Sequence, residues 1–318
     1  MDRIATWSAE ERETLFEDVS ERLPHLLPAL IEKDFWVCWL LRRLFLLDQE
    51  VPMIFKGDTS ISKAYPVIRR FSEDIDISLD RASLGYGDDR WDSGTGTKAF
   101  RRLLADLGET CDAYVHGPLF EALTSDIEAI LGTTEESKAA RGWRLERKVD
   151  GPDDGASLLF AYPRTTVTLQ IGSYVAPNVL LEFGARADHW PAEERHVAPY
   201  AAQAFPELFT VGVFPVRTLN VTRTFWEKAA CCVARGRSCN RPGGSPGGGG
   251  DPQGAVLRQQ LGLIQDGPAR FASARSPPDV QKKVEADYQA MAALFMGKPP
   301  SFSELIELLA QLEESINR

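Results

Sequence analysis

Phe55-Lys56-Gly57-Asp58-Thr59-Ser60, followed seventeen residues after its glycine by Asp74-Ile75-Asp76, decides the fold of this 318-residue chain. Residues 51–55 are short and apolar, which predicts a strand, and Gly57 supplies the turn that ends it. A short helix is expected over residues 60–65. The second half of residues 72–79 alternates charged or polar with apolar side chains, as a half-buried strand does, so Asp74 and Asp76 are expected on one face. Two carboxylates placed this way can grip a divalent cation, and Mg²⁺ in turn binds nucleoside triphosphate oxygens and offsets their charge. The turn and helix start can offer backbone N–H groups and the Ser60 hydroxyl to the same phosphates. An isolated Asp-x-Asp is more often a solvated strand edge. The glycine turn upstream is what gives this one chemical meaning.

Working outward, Ser8 followed by Glu11 is a capping box that opens a helix ending before Pro24. A second helix is predicted from about Pro28. Its apolar positions Leu30, Phe35, Val37, Leu41, Leu44 and Phe45 are too dense for a single stripe, which implies burial on most sides. Glu32, Lys33 and Asp34 interrupt it near its start, where carboxylates can simply favour the helix dipole. Downstream, helices are expected over 98–107 and 118–131, strands over 142–149, 158–162, 165–171 and 178–183, and helices again over 222–233, 280–295 and from Ser301 or Ser303 to 316. Residues 239–254 are dominated by Gly and Pro, lack the order of a phosphate-binding P-loop, and read as a linker. The layout predicts an α+β protein: a mixed sheet flanked by helices over 1–195, then a mostly helical part over 196–318 carrying the Gly/Pro-rich linker at about 236–256.

Composition narrows the class. With 43% apolar and 26% charged residues the chain can bury a real core, so wholesale disorder is excluded. A net charge of -10 argues against a uniformly basic nucleic-acid wrapper and leaves room for a local basic patch, for which Arg42, Arg43, Lys63, Arg69 and Arg70 are the candidates. Five cysteines without CxxC pairs or a companion histidine array suggest neither a disulfide framework nor a zinc site. The start of the chain lacks signal-peptide order, and the longest apolar run, 35–47, is broken by Arg42 and Arg43. A cytoplasmic protein without a membrane segment is expected.

The glycine turn followed by Asp-x-Asp resembles the nucleotidyltransferase pattern. More closely, Lys56-Gly57-Asp58-Thr59-Ser60-Ile61-Ser62-Lys63 with Arg70-Phe71-Ser72-Glu73-Asp74-Ile75-Asp76 resembles the signature of AbiEii/AbiGii-type toxins, nucleotidyltransferase-like members of bacterial type IV toxin–antitoxin (abortive infection) systems. The likeness extends to Glu32-Lys33-Asp34-Phe35-Trp36-Val37, to Leu181-Glu182-Phe183-Gly184 and to Arg223-Thr224-Phe225-Trp226-Glu227-Lys228. It implies a nucleotidyltransferase-like fold and transfer of a nucleotide from an NTP to an acceptor such as tRNA or a protein, with Mg²⁺ in a two-metal site. Asp74 and Asp76 would be metal ligands and catalytic carboxylates. Lys56, Gly57, Thr59 and Ser60 would form the triphosphate turn, and Lys63 a phosphate contact. Glu182 would be a third carboxylate, completing a metal site or orienting the acceptor hydroxyl, and Lys228 would neutralise charge on the triphosphate. A winged-helix antitoxin is the implied partner.

Two departures stand out. Asp58 occupies the place of the second glycine, adding negative charge where a phosphate would approach. Residues 235–276 replace an Arg-His-Tyr-Tyr-Asp-Leu-like motif with Gly-, Pro- and Arg-rich sequence, as a compensated frameshift would, and reading the other two frames tests that origin. A catalytically impaired descendant that survives as a binding module therefore stands beside the enzyme. A metal-dependent phosphohydrolase ranks last, because no His-Asp array accompanies the carboxylates.

Overall fold

The computed structural model describes residues 1–65, 71–87, 97–133, 142–148, 156–166, 176–209 and 212–224, with 301, 303, 304 and 307. The chain divides into two compact units, Met1–Asn220 and Val221–Arg318. The first opens with a single helical turn, α1 (Asp2–Ala5), and α2 (Ala9–Arg22). The Ser8 hydroxyl accepts from the Glu11 N–H (3.2 Å) and the Ser8 N–H donates to the Glu11 carboxylate (2.8 Å), so the expected capping box starts α2. α3 (Pro28–Leu46) carries Pro28 at its start, where the missing N–H costs nothing. Its density of apolar residues is explained by burial all round: Phe35, Trp36, Trp39 and Leu40 are fully enclosed, each contributing roughly 1.5–3 kcal/mol.

The chain then forms β1 (Met53–Lys56), α4 (Gly57–Lys63) and β2 (Ile75–Leu79). α4 begins at Gly57, three residues before the expected start, so the glycine turn is itself the first turn of the helix. α5 (Thr97–Tyr114) runs longer than expected and passes through one wide turn, Val115–Leu119, into α6 (Phe120–Leu131). Gly117 departs from helical geometry there (φ -107°, ψ -106°), which lets Pro118 sit inside a nearly continuous helical rod. β3 (Arg144–Lys148), β4 (Ala156–Ala161) and β5 (Asn178–Gly184) follow.

Three elements were not anticipated: β6 (Ala192–Val197), α7 (Tyr200–Ala204) and β7 (Phe214–Leu219), which carry the sheet past residue 195. Of the strand expected over 165–171, residues 165 and 166 are not extended ladder and the rest lie outside the described residues. Residues 221–224 are helical, as expected for the start of 222–233, and Ser301 and Glu304 form a reciprocal cap (3.2 and 2.6 Å) at the final predicted helix. The 280–295 helix and the 236–256 linker lie outside the described residues.

The seven strands make one mixed sheet in the order β3-β4-β5-β2-β1-β7-β6. β1–β7 and β2–β5 are parallel and the other neighbours antiparallel. Side chains alternate across the sheet. Ile75, Ile77, Leu158, Phe160, Val179 and Leu181 point into the core, where Trp36 and Trp39 of α3 meet Phe160 at 6.1 and 5.9 Å between ring centroids. The opposite face receives Asp76, Glu182 and Lys56. The fold is thus α+β, with a mixed sheet and flanking helices.

Candidate active site

The site is built by strand register. Lys56 of β1 stands opposite Asp76 of β2, and Asp76 stands opposite Glu182 of β5. Paired residues in neighbouring strands share a face and sit about 4.8 Å apart along the hydrogen-bonding direction. Residues far apart in sequence therefore form a single transverse line, with Asp76 half-buried at its centre and Glu182 exposed. Asp74 lies immediately before β2.

Gly57 joins the turn to this line. Its φ is +77°, and a Cβ placed there would fall 1.8 Å from Oδ2 of Asp76 and 2.8 Å from its Cβ. Only glycine lets the start of α4 close down on the Asp76 carboxylate. The two halves of the motif are therefore one contact.

The remaining side chains of the turn are mostly turned to other work. The Thr59 hydroxyl is fully buried, 2.8 Å from the Ser72 hydroxyl, and donates to the Asp74 carbonyl, so it fixes the segment carrying the carboxylates. The Ser60 hydroxyl donates to the Gly57 carbonyl (2.8 Å) and tightens the turn. Asp58 sits half-buried in the first turn of α4. Lys63, expected as a phosphate contact, is placed elsewhere. Its ammonium is paired with Asp34 and packs on the Tyr200 ring, 3.4 Å from the centroid, with a side chain only 5% exposed. Burial works against that charge, but the Asp34 carboxylate, with Cys38 and Tyr200, holds Lys63 protonated beyond its ordinary range.

The three consecutive charges of α3 explain this arrangement. Successive helical residues turn by about 100°, so Glu32, Lys33 and Asp34 fan out toward three different segments. Glu32 accepts from the Thr165 N–H (2.8 Å) and hydroxyl (3.0 Å). Lys33 donates to Glu73 and to the Ala176 carbonyl (2.9 Å). Asp34 accepts from the Tyr200 N–H (2.7 Å) and binds Lys63. All three are essentially buried. They brace the loop before β2, the helix after β1 and α7 against one core helix. The dipole interpretation of Glu32 and Asp34 is corrected accordingly. Their signal in the sequence was an unbroken charge triplet inside an apolar helix.

Asp74 carries the electrostatic mark of the site. Burial raises its carboxyl above the ordinary range, the neighbouring Glu73 and Asp76 carboxylates raise it further, and Lys33 and Lys148 oppose the rise. Negative charge accumulates here in a way that a cation relieves. Among the described residues no three His, Cys, Asp or Glu side chains gather as a metal cage. Mg²⁺ is ordinarily held by one or two carboxylates together with substrate phosphates and water, so the all-oxygen pair Asp74 and Asp76 fits it.

The local basic patch expected from Arg42, Arg43 and Lys63 does not form an open surface. Arg42 binds Asp2 (3.0 Å), Arg43 binds Asp2 and Asp126, and both are largely covered. Arg69, Arg70 and Lys228 lie outside the described residues.

Residues 39–242 match the sequence profile of the family described as nucleotidyl transferase AbiEii toxin, type IV toxin–antitoxin system. The chain belongs to the AbiEii nucleotidyltransferase toxin family. No curated protein matches it. Among solved structures it is similar to MenT4, a nucleotidyltransferase toxin from Mycobacterium tuberculosis, at 16% identity and a TM-score of 0.36 over 71% of this chain. The matched portion spans 59% of that protein's length, and the likeness is too distant to carry an argument about this AbiEii member. No helix among its described residues is long and apolar enough to cross a membrane.

Proposed function

We propose that this AbiEii-family chain is an active Mg²⁺-dependent nucleotidyltransferase whose reaction is centred on the line formed by Asp76 and Glu182, with Asp74 beside it. The observation that carries the proposal is the contact between Gly57 and Asp76, which brings the helix start and the carboxylates together. Asp74 and Asp76 would hold Mg²⁺, which when bound neutralises triphosphate charge and polarises the α-phosphate. The α4 turn receives the triphosphate through its backbone N–H groups, with Lys56 on the same line as a cation for the phosphates. An acceptor hydroxyl attacks the α-phosphorus, a new P–O bond forms as the bond to pyrophosphate breaks, and Glu182 takes the hydroxyl proton. Thr59 and Ser60 act by fixing the turn. Lys63 supports α4 from beneath and is left out of the phosphate set, while Lys228 remains a candidate for charge neutralisation. We further propose tRNA or protein as the acceptor and a winged-helix antitoxin as the partner, a reading that family membership supports.

A second reading, of an impaired member retaining only binding, is favoured by Asp58 in the first turn of α4 and by the family match ending at residue 242, inside the unusual 235–276 segment. Titration of the full chain with NTPs and Mg²⁺ tests both. Binding lost in Asp76→Ala supports the enzyme. Binding gained only in Asp58→Gly places the defect in the turn, and a folded parent and variant without NTP affinity overturn the transferase proposal.

A further inference from the structure

Asp76 and Glu182 are held by the sheet ladder; Asp74 is not. The register pairs of β2 start at Ile75, opposite Leu181, and at Asp76, opposite Lys56, and among the described residues none reaches Asp74. Its place therefore depends on side chains. From α4, the buried Thr59 hydroxyl donates to the Asp74 carbonyl. From α3, the Lys33 ammonium donates to the Glu73 carboxylate and to the Ala176 carbonyl (2.9 Å). Glu73 lies two residues before β2 and Ala176 two residues before β5, so one ammonium clasps the entries of both carboxylate-bearing strands.

Burial makes the clasp firm. The Lys33 side chain is only 3% exposed, and an ammonium that has left water keeps its partners at close range. Its helix is fixed as well, by the enclosed Phe35, Trp36 and Trp39. Glu73 is drawn to α3, while Asp74 beside it stays half-buried within the influence of the Asp76 carboxylate.

Charge and geometry give Lys33 opposite effects on a cation. Its ammonium opposes the negative charge at Asp74, so by Coulomb's law alone its removal would favour a cation there. A carboxylate on an untied segment, in contrast, must be ordered when the metal binds, which costs affinity. We propose that Lys33 is a positioning residue for the metal site: by tying Glu73 to α3 and to the start of β5, it presents the Asp74 carboxylate to the cation that Asp74 and Asp76 would hold. The choice of metal ligands rests on the transferase proposal above, and the part played by Lys33 is measured apart from it.

The test titrates the full chain with Mn²⁺, read by electron paramagnetic resonance of the free ion, with and without a non-transferable NTP analogue. Lys33→Met and Glu73→Ala are each expected to weaken Mn²⁺ binding about tenfold, and the double variant by no more than either, because all three undo one contact. Glu32→Gln, on the same helix with its described bonds to Thr165, should stay within about twofold. Hydrogen exchange over residues 71–76 should quicken in Lys33→Met and not in Glu32→Gln. If Lys33→Met does not fold, the double variant, which buries no unpaired charge, carries the same expectation. Tighter Mn²⁺ binding in Lys33→Met, weaker binding in Glu73→Ala and cancellation in the double variant would reduce Lys33 to a distant charge and overturn the proposal. Unchanged affinity in Lys33→Met would also overturn it. If Asp76→Ala loses the metal while Lys33→Met keeps it, the transferase proposal stands and this one fails; a folded parent that takes up no Mn²⁺ in either condition removes both.

Discussion

Gly57→Ala isolates the contact on which the site is built. The added Cβ would lie 1.8 Å from Oδ2, 2.4 Å from Cγ and 2.8 Å from Cβ of Asp76. A carboxylate could swing aside, but the Asp76 Cβ is fixed to β2, which is held between β1 and β5. Backbone conformation adds to this, because a φ of +77° costs a residue with a Cβ roughly 1–2 kcal/mol. Forcing the packed neighbour to move adds roughly 1–3 kcal/mol, for a total of about 2–5 kcal/mol. Urea unfolding of the parent, Gly57→Ala, Asp76→Gly and the double variant separates the two contributions. In the Asp76→Gly background the clashing atoms are gone, so the alanine should cost only its backbone share, leaving a coupling of roughly 1–3 kcal/mol. An equal cost in both backgrounds, or a single-variant cost below about 1 kcal/mol, would refute the reasoning.

Three further outcomes follow from the same geometry. Asp34→Asn leaves the buried Lys63 ammonium without its carboxylate and should cost about 3–5 kcal/mol in urea unfolding, partly restored in Asp34→Leu/Lys63→Met; a loss under about 1 kcal/mol would mark the pair as surface-like. Asp74 has a raised carboxyl in the folded chain, so its favourable contribution is present below the unfolded value near 3.8 and lost as pH rises through the raised value. Asp74→Asn should therefore raise the urea midpoint at neutral pH, with no gain below about pH 4, and Mg²⁺ should stabilise the parent but not the variant; a gain that persists in acid, or equal Mg²⁺ stabilisation of both, would contradict it. Glu182→Gln should lower labelled-nucleotide transfer by about 10²–10⁴-fold while NTP affinity stays within about threefold, and a parallel loss of affinity would move Glu182 from proton acceptor to nucleotide contact.

The sequence was most informative where the determining contacts are close along the chain. Gly57, Asp74 and Asp76 could be read because turn, helix start and strand fall within twenty residues, and each has a compositional sign. Lys63 lay in the same motif yet was misplaced, since its surroundings depend on Asp34 of α3 and Tyr200 of α7. Nothing local distinguishes a lysine facing phosphate from one facing a buried carboxylate. β6 went unread because Ala192–Val197 is charged along most of its length, as an edge strand tolerates, and β7 because Pro215 interrupts its apolar pattern at the sheet's far side. Glu182 reaches Asp76 only through the β2–β5 register, which no periodicity encodes.

Transfer of label from NTPs carrying a radioactive α-phosphate onto bacterial RNA and protein, by the parent and by Asp76→Ala, tests the carboxylate line most directly. Label transferred by the parent and lost in a folded Asp76→Ala is the expected result. Equal labelling by both, or none by a folded parent supplied with Mg²⁺, would contradict it.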